Sequence, residues 1–121
     1  GESDPVAALK AAVTGALPLD ERRYEAWRIV FAFMSHSQGR EKLRMRDRLL
    51  YGKLIDLIAS LIRNVQKAGG ISADRDPVAE ARRLVAITDG VGFSVILYPE
   101  GIPRAQLAPT VIEYIEKVVL N

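Results

Sequence analysis

The 121-residue sequence contains no cysteine and a single histidine, His36. The missing thiols exclude a disulfide framework and a thiolate metal site, and one imidazole needs further ligands nearby to hold a metal. The sequence also has no large excess of charge of one sign, because 17 basic and 15 acidic residues leave a formal net charge of +2. That charge is too small to indicate a surface that coats nucleic acid. We expect no metal ion and no cofactor.

The sequence also lacks long apolar runs, and we expect no leader. Its most apolar stretch, residues 84–98, is shorter than a membrane span and contains Asp89. The first residues carry no basic-then-apolar signal. We therefore expect a cytoplasmic protein with no membrane contact. The length predicts a single domain over residues 1–121 with one core.

The sequence does show a clear helical periodicity in its apolar residues. Asp4, Asp20 and Asp76 are predicted N-caps, and Gly39 and Gly69 are predicted to end helices. No convincing strand pattern is found, so the predicted fold class is all-α, a five-helix bundle. The five predicted helices cover residues 6–16, 20–36, 40–68, 77–98 and 103–120. The predicted inward stripe of the third is Leu43, Leu50, Leu54, Leu57 or Ile58, Leu61 and Val65.

The last two predicted helices are unusually apolar. A helix that is apolar nearly all round must be buried nearly all round. Ala86, Gly90 and Ser94 follow at four-residue spacing and form a ridge of small side chains. The ridge indicates either tight packing within one protomer or contact with a second copy. We favour a homodimer, because a large exposed apolar patch promotes aggregation. The predicted dimer interface contains Ala86, Gly90, Phe93, Ser94, Leu97, Leu107, Val111, Ile112, Ile115 and Val118.

Three stretches together resemble a known family. Residues 19–34 are similar to an aromatic-rich family helix, with Met34 where tryptophan is common. Residues 84–92 are similar to the family's "LLxxxDGLxL" helix. Tyr98-Pro99-Glu100 and Ile102-Pro103 then precede a final amphipathic helix. In this order the sequence resembles, over essentially its whole length, the C-terminal ligand-binding and dimerisation region of TetR-family transcriptional regulators, closest to the BetI-like subgroup.

The resemblance implies an architecture and a mechanism. The last two helices of each copy would form a four-helix dimer interface. Family members begin with a helix-turn-helix module and a connecting helix, and neither is found in this sequence. We expect a sensor that contacts DNA only through the missing module and whose ligand controls DNA binding.

The resemblance also implies a ligand cavity walled by the second and third helices and closed by the fourth. The expected ligand is small and apolar or amphipathic. The expected lining residues are Trp27, Phe31, Met34, Leu54, Ile58, Val85, Thr88, Asp89 and Phe93. For Trp27, Phe31 and Met34 the alternative is that they are ordinary core residues that contact no ligand. For Asp89 it is a structural hydrogen bond or salt bridge, with Arg82, Arg83 or a partner subunit.

An alternative function stays open at this point, namely a helical protein–protein interaction module without a ligand. An enzyme is disfavoured, because no acid–base cluster is found. Ser35 and His36 are adjacent, so on a helix they point in different directions and form no catalytic triad.

Overall fold

The computed structural model describes residues 4–37 and 39–121, apart from the side chain of Ser37. Residues 1–3, where no leader signal is predicted, lie outside the described part. The helices are α1 (Pro5–Thr14), α2 (Glu21–Ser37), α3 (Glu41–Lys67), α4 (Pro77–Leu97) and α5 (Arg104–Tyr114), and a π-helical turn, Ile115–Val119, extends α5. The described residues form no strand. The predicted all-α class with five helices is therefore confirmed.

The helix ends follow local signals. The side chains of Asp4, Asp20 and Asp76 each accept a backbone N–H two or three residues later, at 2.8–3.0 Å. Each bond satisfies a donor that the first turn of a helix leaves unpaired. Gly69 follows α3 with a φ of +87°, a left-handed conformation that favours glycine. Within the described part of the chain, no helix has the length and apolarity needed to cross a bilayer.

The core lies among α1, α3, α4 and α5. Leu9 of α1, Ile62 of α3, Leu84 of α4 and Leu107 of α5 are all fully buried in it. Helix α2 contributes no buried side chain among its described residues. It therefore packs on the outside of the bundle.

The predicted inward stripe of α3 is wrong in its N-terminal part. The buried residues of α3 are Ile55, Ile58, Ala59, Ile62 and Val65. Leu50 and Leu54 of the predicted stripe are instead 59% and 41% exposed, and of the two alternatives Leu57 and Ile58 it is Ile58 that is buried. Only the C-terminal half of α3 is therefore packed into the core, and there the inward face is the isoleucine-rich one.

The apolar stripe of α5 is used within the protomer. Leu107, Val111 and Ile115 are fully buried in the same cluster as Leu9 and Val13 of α1. These three residues of α5 and its extension are predicted dimer contacts, but in this structure their side chains have no surface left for a partner. The sequence interpretation overlooked that α1 uses its own apolar face to cover α5.

Candidate functional site

Three aromatic rings meet where α2 packs against α4. The rings of Trp27 and Phe93 lie edge to face, with centroids 4.8 Å apart and an interplanar angle of 78°. The Phe31 ring is tilted against Phe93 at 5.6 Å. Both distances lie in the range that favours aromatic pairs. The structure therefore brings together three of the predicted lining residues, on two helices.

Trp27 is held from two further directions. Its indole N–H donates a hydrogen bond of 2.5 Å to the carbonyl of Ala16, in the turn between α1 and α2. Its six-membered ring lies against Gly92 of α4, and a Cβ atom at Gly92 would overlap that ring. Sequence reasoning missed this role of Gly92. The available signal was a glycine inside a helix, which costs about 1 kcal/mol relative to alanine.

An apolar groove of about 340 Å³ opens beside these rings. It is lined by Phe31, Met34 and Ser35 of α2 and by Phe93 and Leu97 of α4. The groove is open to solvent, and Met34 and Leu97 are 41% and 52% exposed. A lining of this kind suits the apolar part of a small molecule. Ser35 is missing from the predicted lining set, and Leu97 is predicted at the dimer interface instead.

Asp89 lies on the same face of α4 as Phe93 and Leu97, because the three residues follow at four-residue spacing. It is half-buried. Within the described part of the chain, its carboxylate forms no hydrogen bond or salt bridge. Burial raises the pKa of the Asp89 carboxyl above its usual range. Arg83, considered as its partner in the sequence analysis, instead pairs with Glu80 at 2.8 Å.

The other predicted lining residues lie elsewhere. Ile58 and Val85 are buried in the core, at 2% and 5% exposure. Thr88 is half-buried, and its hydroxyl donates a hydrogen bond of 2.8 Å to the carbonyl of Leu84 one turn earlier. Leu54 is largely exposed on α3. None of these four side chains lines the groove, and Trp27 and Asp89 are also absent from its lining.

Four of the predicted dimer residues of α4, namely Ala86, Gly90, Ser94 and Leu97, lie on its outer side, whereas Phe93 packs against Trp27 and Phe31 of α2. Ala86, Gly90 and Leu97 are exposed, while Phe93 and Ser94 are half-buried. A Cβ atom at Gly90 would have no neighbour within 4 Å. On α5 and its extension, Ile112 is half-buried and Val118 is 47% exposed. The exposed part of the predicted dimer interface is therefore supplied mostly by α4.

Comparison with known proteins assigns the chain to a family. The model of the C-terminal domain of BetI-type transcriptional repressors matches residues 5–120. A solved structure, described as a transcriptional regulator from Saccharomonospora viridis in complex with choline, superposes with a TM-score of 0.89 at 25% identity. The match covers 99% of this chain and 62% of that chain, so this chain spans about three-fifths of its length. No curated protein matches the sequence.

The family match and the structural match agree with the resemblance that the three sequence stretches indicated. Both cover nearly every residue of the chain, including the aromatic cluster and the groove. The chain belongs to the C-terminal domain family of BetI-type, TetR-like transcriptional repressors.

Proposed function

We propose that this chain is the effector-binding and dimerisation domain of a transcriptional regulator, and that its effector binds in the groove between α2 and α4. The observation that carries the proposal is the half-buried carboxylate of Asp89, which has no hydrogen-bond or salt-bridge partner among the described residues and lies on α4 one turn before Phe93, which lines the groove. DNA would be bound by a helix-turn-helix module elsewhere in the parent protein.

The effector is a small amphipathic organic cation. A carboxylate that loses hydration without gaining a partner is costly, and a bound cation compensates that cost. The rings of Phe31 and Phe93 can contact a cation favourably through their faces. The apolar lining of the groove accommodates methyl and methylene groups. The choline complex of the structural neighbour supports the same ligand class.

Regulation follows if the effector prefers one arrangement of α2 relative to α4. A coupling free energy of about 1–3 kcal/mol between effector and DNA binding is typical of allosteric proteins. A dimeric helix-turn-helix protein needs its two recognition helices roughly 34–36 Å apart. A small displacement at the groove that reaches that module would disturb the spacing and weaken DNA binding.

Calorimetric titration with choline tests the ligand assignment. The comparison ligand is the uncharged analogue in which carbon replaces the quaternary nitrogen. Choline should bind at least about tenfold more tightly than this analogue, because only choline pairs with Asp89. Asp89→Asn should abolish the difference. Asp56→Asn, at an exposed aspartate of α3, is the matched control and should keep it.

Two results would contradict the ligand assignment. One is the absence of choline binding at millimolar concentration. The other is equal affinity of the wild-type protein for choline and for its uncharged analogue, which would show that no carboxylate is used.

The dimer is formed by the outer face of α4, with Ile112 and Val118 at its edge. Ala86 and Gly90 allow the backbone of a second copy to approach closely. Ile87 and Leu97, which are 38% and 52% exposed, flank them with apolar surface. An isologous contact uses this surface twice, so a single patch is sufficient for a two-fold dimer.

A further inference from the structure

Helix α3 has a second apolar stripe, separate from its core side. At 3.6 residues per turn, this stripe lies about 100° round the helix from the buried residues of α3. We call it the leucine stripe, and it consists of Leu43, Leu50, Leu54, Leu57 and Leu61. Its three central leucines are exposed, and the two at its ends are half-buried. Among the described residues, α3 therefore has an apolar line about 27 Å long that no other helix covers.

The spacing of the leucine stripe is that of a coiled-coil seam. From Leu50 to Leu61 the leucines follow at steps of four, three and four residues, and Leu43 precedes Leu50 by seven. These are the a and d positions of a heptad, with Asp47 at the a position between Leu43 and Leu50. The stripe is only about 60° wide. A narrow seam of this kind packs against a single helix, whereas binding in a membrane surface uses a broad apolar face.

Basic side chains flank the leucine stripe on the edge that faces away from the core. Lys42, Arg46 and Lys53 lie about 70° from the stripe and are exposed. Within the described part of the chain, none of the three forms a salt bridge. Arg46 and Lys53 occupy g positions of the heptad, where charges determine which helix can pair. This edge therefore favours a partner with acidic side chains.

The same charges disfavour a second copy of this chain as the partner. An antiparallel copy would place Arg46 and Lys53 against the same two residues of its mate, and like charges there repel. A parallel copy would use the opposite edge of the stripe, where Ile58 is already buried in the core of the protomer. Neither arrangement covers the leucine stripe without a charge or packing conflict.

We propose that the leucine stripe is the docking surface for an amphipathic α-helix from outside residues 1–121. The apolar face of that helix covers the five leucines, and aspartate or glutamate residues beside this face pair with Arg46 and Lys53. The proposal does not rest on the proposed function, because no residue of the stripe lines the groove or lies on the outer face of α4.

Fluorescence anisotropy with labelled synthetic peptides tests the docking surface. The first peptide has about 21 residues, with leucine at a and d and glutamate at e and g. The second is identical except for lysine at e and g. The glutamate peptide should bind at least about tenfold more tightly, and added salt should reduce this difference. Like charges along each peptide keep it from pairing with itself.

A substitution in the leucine stripe should weaken binding of the glutamate peptide. Leu57 is 54% exposed, so Leu57→Gln should leave the fold intact while weakening binding at least about tenfold through lost apolar contact. The matched control is Leu49→Gln. Leu49 is an exposed leucine of the same helix, but it lies about 110° from the stripe, and its substitution should leave the affinity unchanged.

A charge reversal tests the basic edge. The double variant Arg46→Glu with Lys53→Glu should reverse the preference, so that the lysine peptide binds more tightly than the glutamate peptide. Arg63→Glu is the control, because Arg63 is exposed on α3 away from the stripe. It should keep the preference for the glutamate peptide.

Four outcomes would overturn the proposal. The first is no binding of the glutamate peptide at millimolar concentration. The second is an equal effect of Leu57→Gln and Leu49→Gln. The third is dissociation of an oligomer of the chain alone by Leu57→Gln but not by Leu49→Gln in sedimentation equilibrium, which would assign the stripe to a second copy. The fourth is binding to phosphatidylserine vesicles that Leu57→Gln abolishes, which would assign it to a membrane surface.

Discussion

The guanidinium of Arg75 forms two hydrogen bonds of 3.0 Å with the buried carboxylate of Glu80. The same guanidinium donates a third bond of 2.7 Å to the carbonyl of Val118. In the same α3–α4 loop, the carbonyl of Gly70 accepts a hydrogen bond of 3.0 Å from the backbone N–H of Asn121. The loop between α3 and α4 is thus joined to the start of α4 and to the end of the chain.

Removing the carboxylate of this cluster should destabilise the protein. We expect Glu80→Gln to lower the free energy of unfolding at neutral pH by about 1–3 kcal/mol, because it weakens the hydrogen bonds that the buried carboxylate accepts from two charged guanidinium groups. Chemical denaturation measures the change. The matched control is Glu113→Gln, which removes the exposed pair with Lys117 at 2.9 Å. No measurable change is expected there, because exposed pairs contribute little.

The Glu80 pair also predicts a pH dependence. The hydrogen bond from Arg75 holds the pKa of the Glu80 carboxyl below its usual range. A lowered pKa in the folded state gives stability that is present above the unfolded-state pKa and is lost as pH falls through the folded-state pKa. The stability difference between wild type and Glu80→Gln should therefore shrink below about pH 4. A constant difference across this range would contradict the prediction.

The contribution of Asp89 to the pH dependence of stability should have the opposite sign to that of Glu80. Burial raises the pKa of its carboxyl, so ionisation is less favourable in the folded protein and stability falls as pH rises through this range. We expect Asp89→Asn to raise the Tm of the ligand-free protein at neutral pH while abolishing the preference for choline over its uncharged analogue. A lower Tm for the variant would indicate that Asp89 has a structural partner. Differential scanning calorimetry on both forms decides between these outcomes.

Substitution by alanine should change the stability of the protein differently at Gly92 and at Gly52. Gly92→Ala is expected to cost about 1–3 kcal/mol, because the added Cβ atom overpacks the Trp27 ring and outweighs the better helix propensity of alanine. Gly52→Ala is expected to be neutral or to stabilise by up to about 1 kcal/mol. Thermal unfolding of both variants provides the comparison. Equal effects would mean that the ring moves aside without cost.

The proposed dimer predicts that a substitution at a third glycine, Gly90, weakens dimerisation. Gly90→Glu places a charge at the centre of the outer face of α4 and should weaken dimerisation roughly a hundredfold. Its folding should be unaffected, because the position has open space within the protomer. Gly52→Glu, another helical glycine with open space, is the control. Sedimentation equilibrium measures both, and an unchanged dimer of Gly90→Glu would move the interface elsewhere.

Much of the fold was predictable because its signals are local. The aspartate caps, the ends at glycine and the three- and four-residue spacing act within one or two helical turns. They predicted five helices to within about two residues at most ends, although the last one changes to a π-helical turn at Ile115. The same periodicity could not show which apolar face of α3 is covered, because α3 has apolar residues on two faces.

The sequence by itself thus determined the helices, their order and the family, as well as most of the aromatic cluster. Only the tertiary structure decided that α1 covers the stripe of α5, that Gly92 contacts the Trp27 ring and that Asp89 has no partner among the residues the structure describes. These outcomes depend on contacts between residues far apart in the chain. Helical spacing shows which side chains share a face, but only the packing of the helices determines what that face meets.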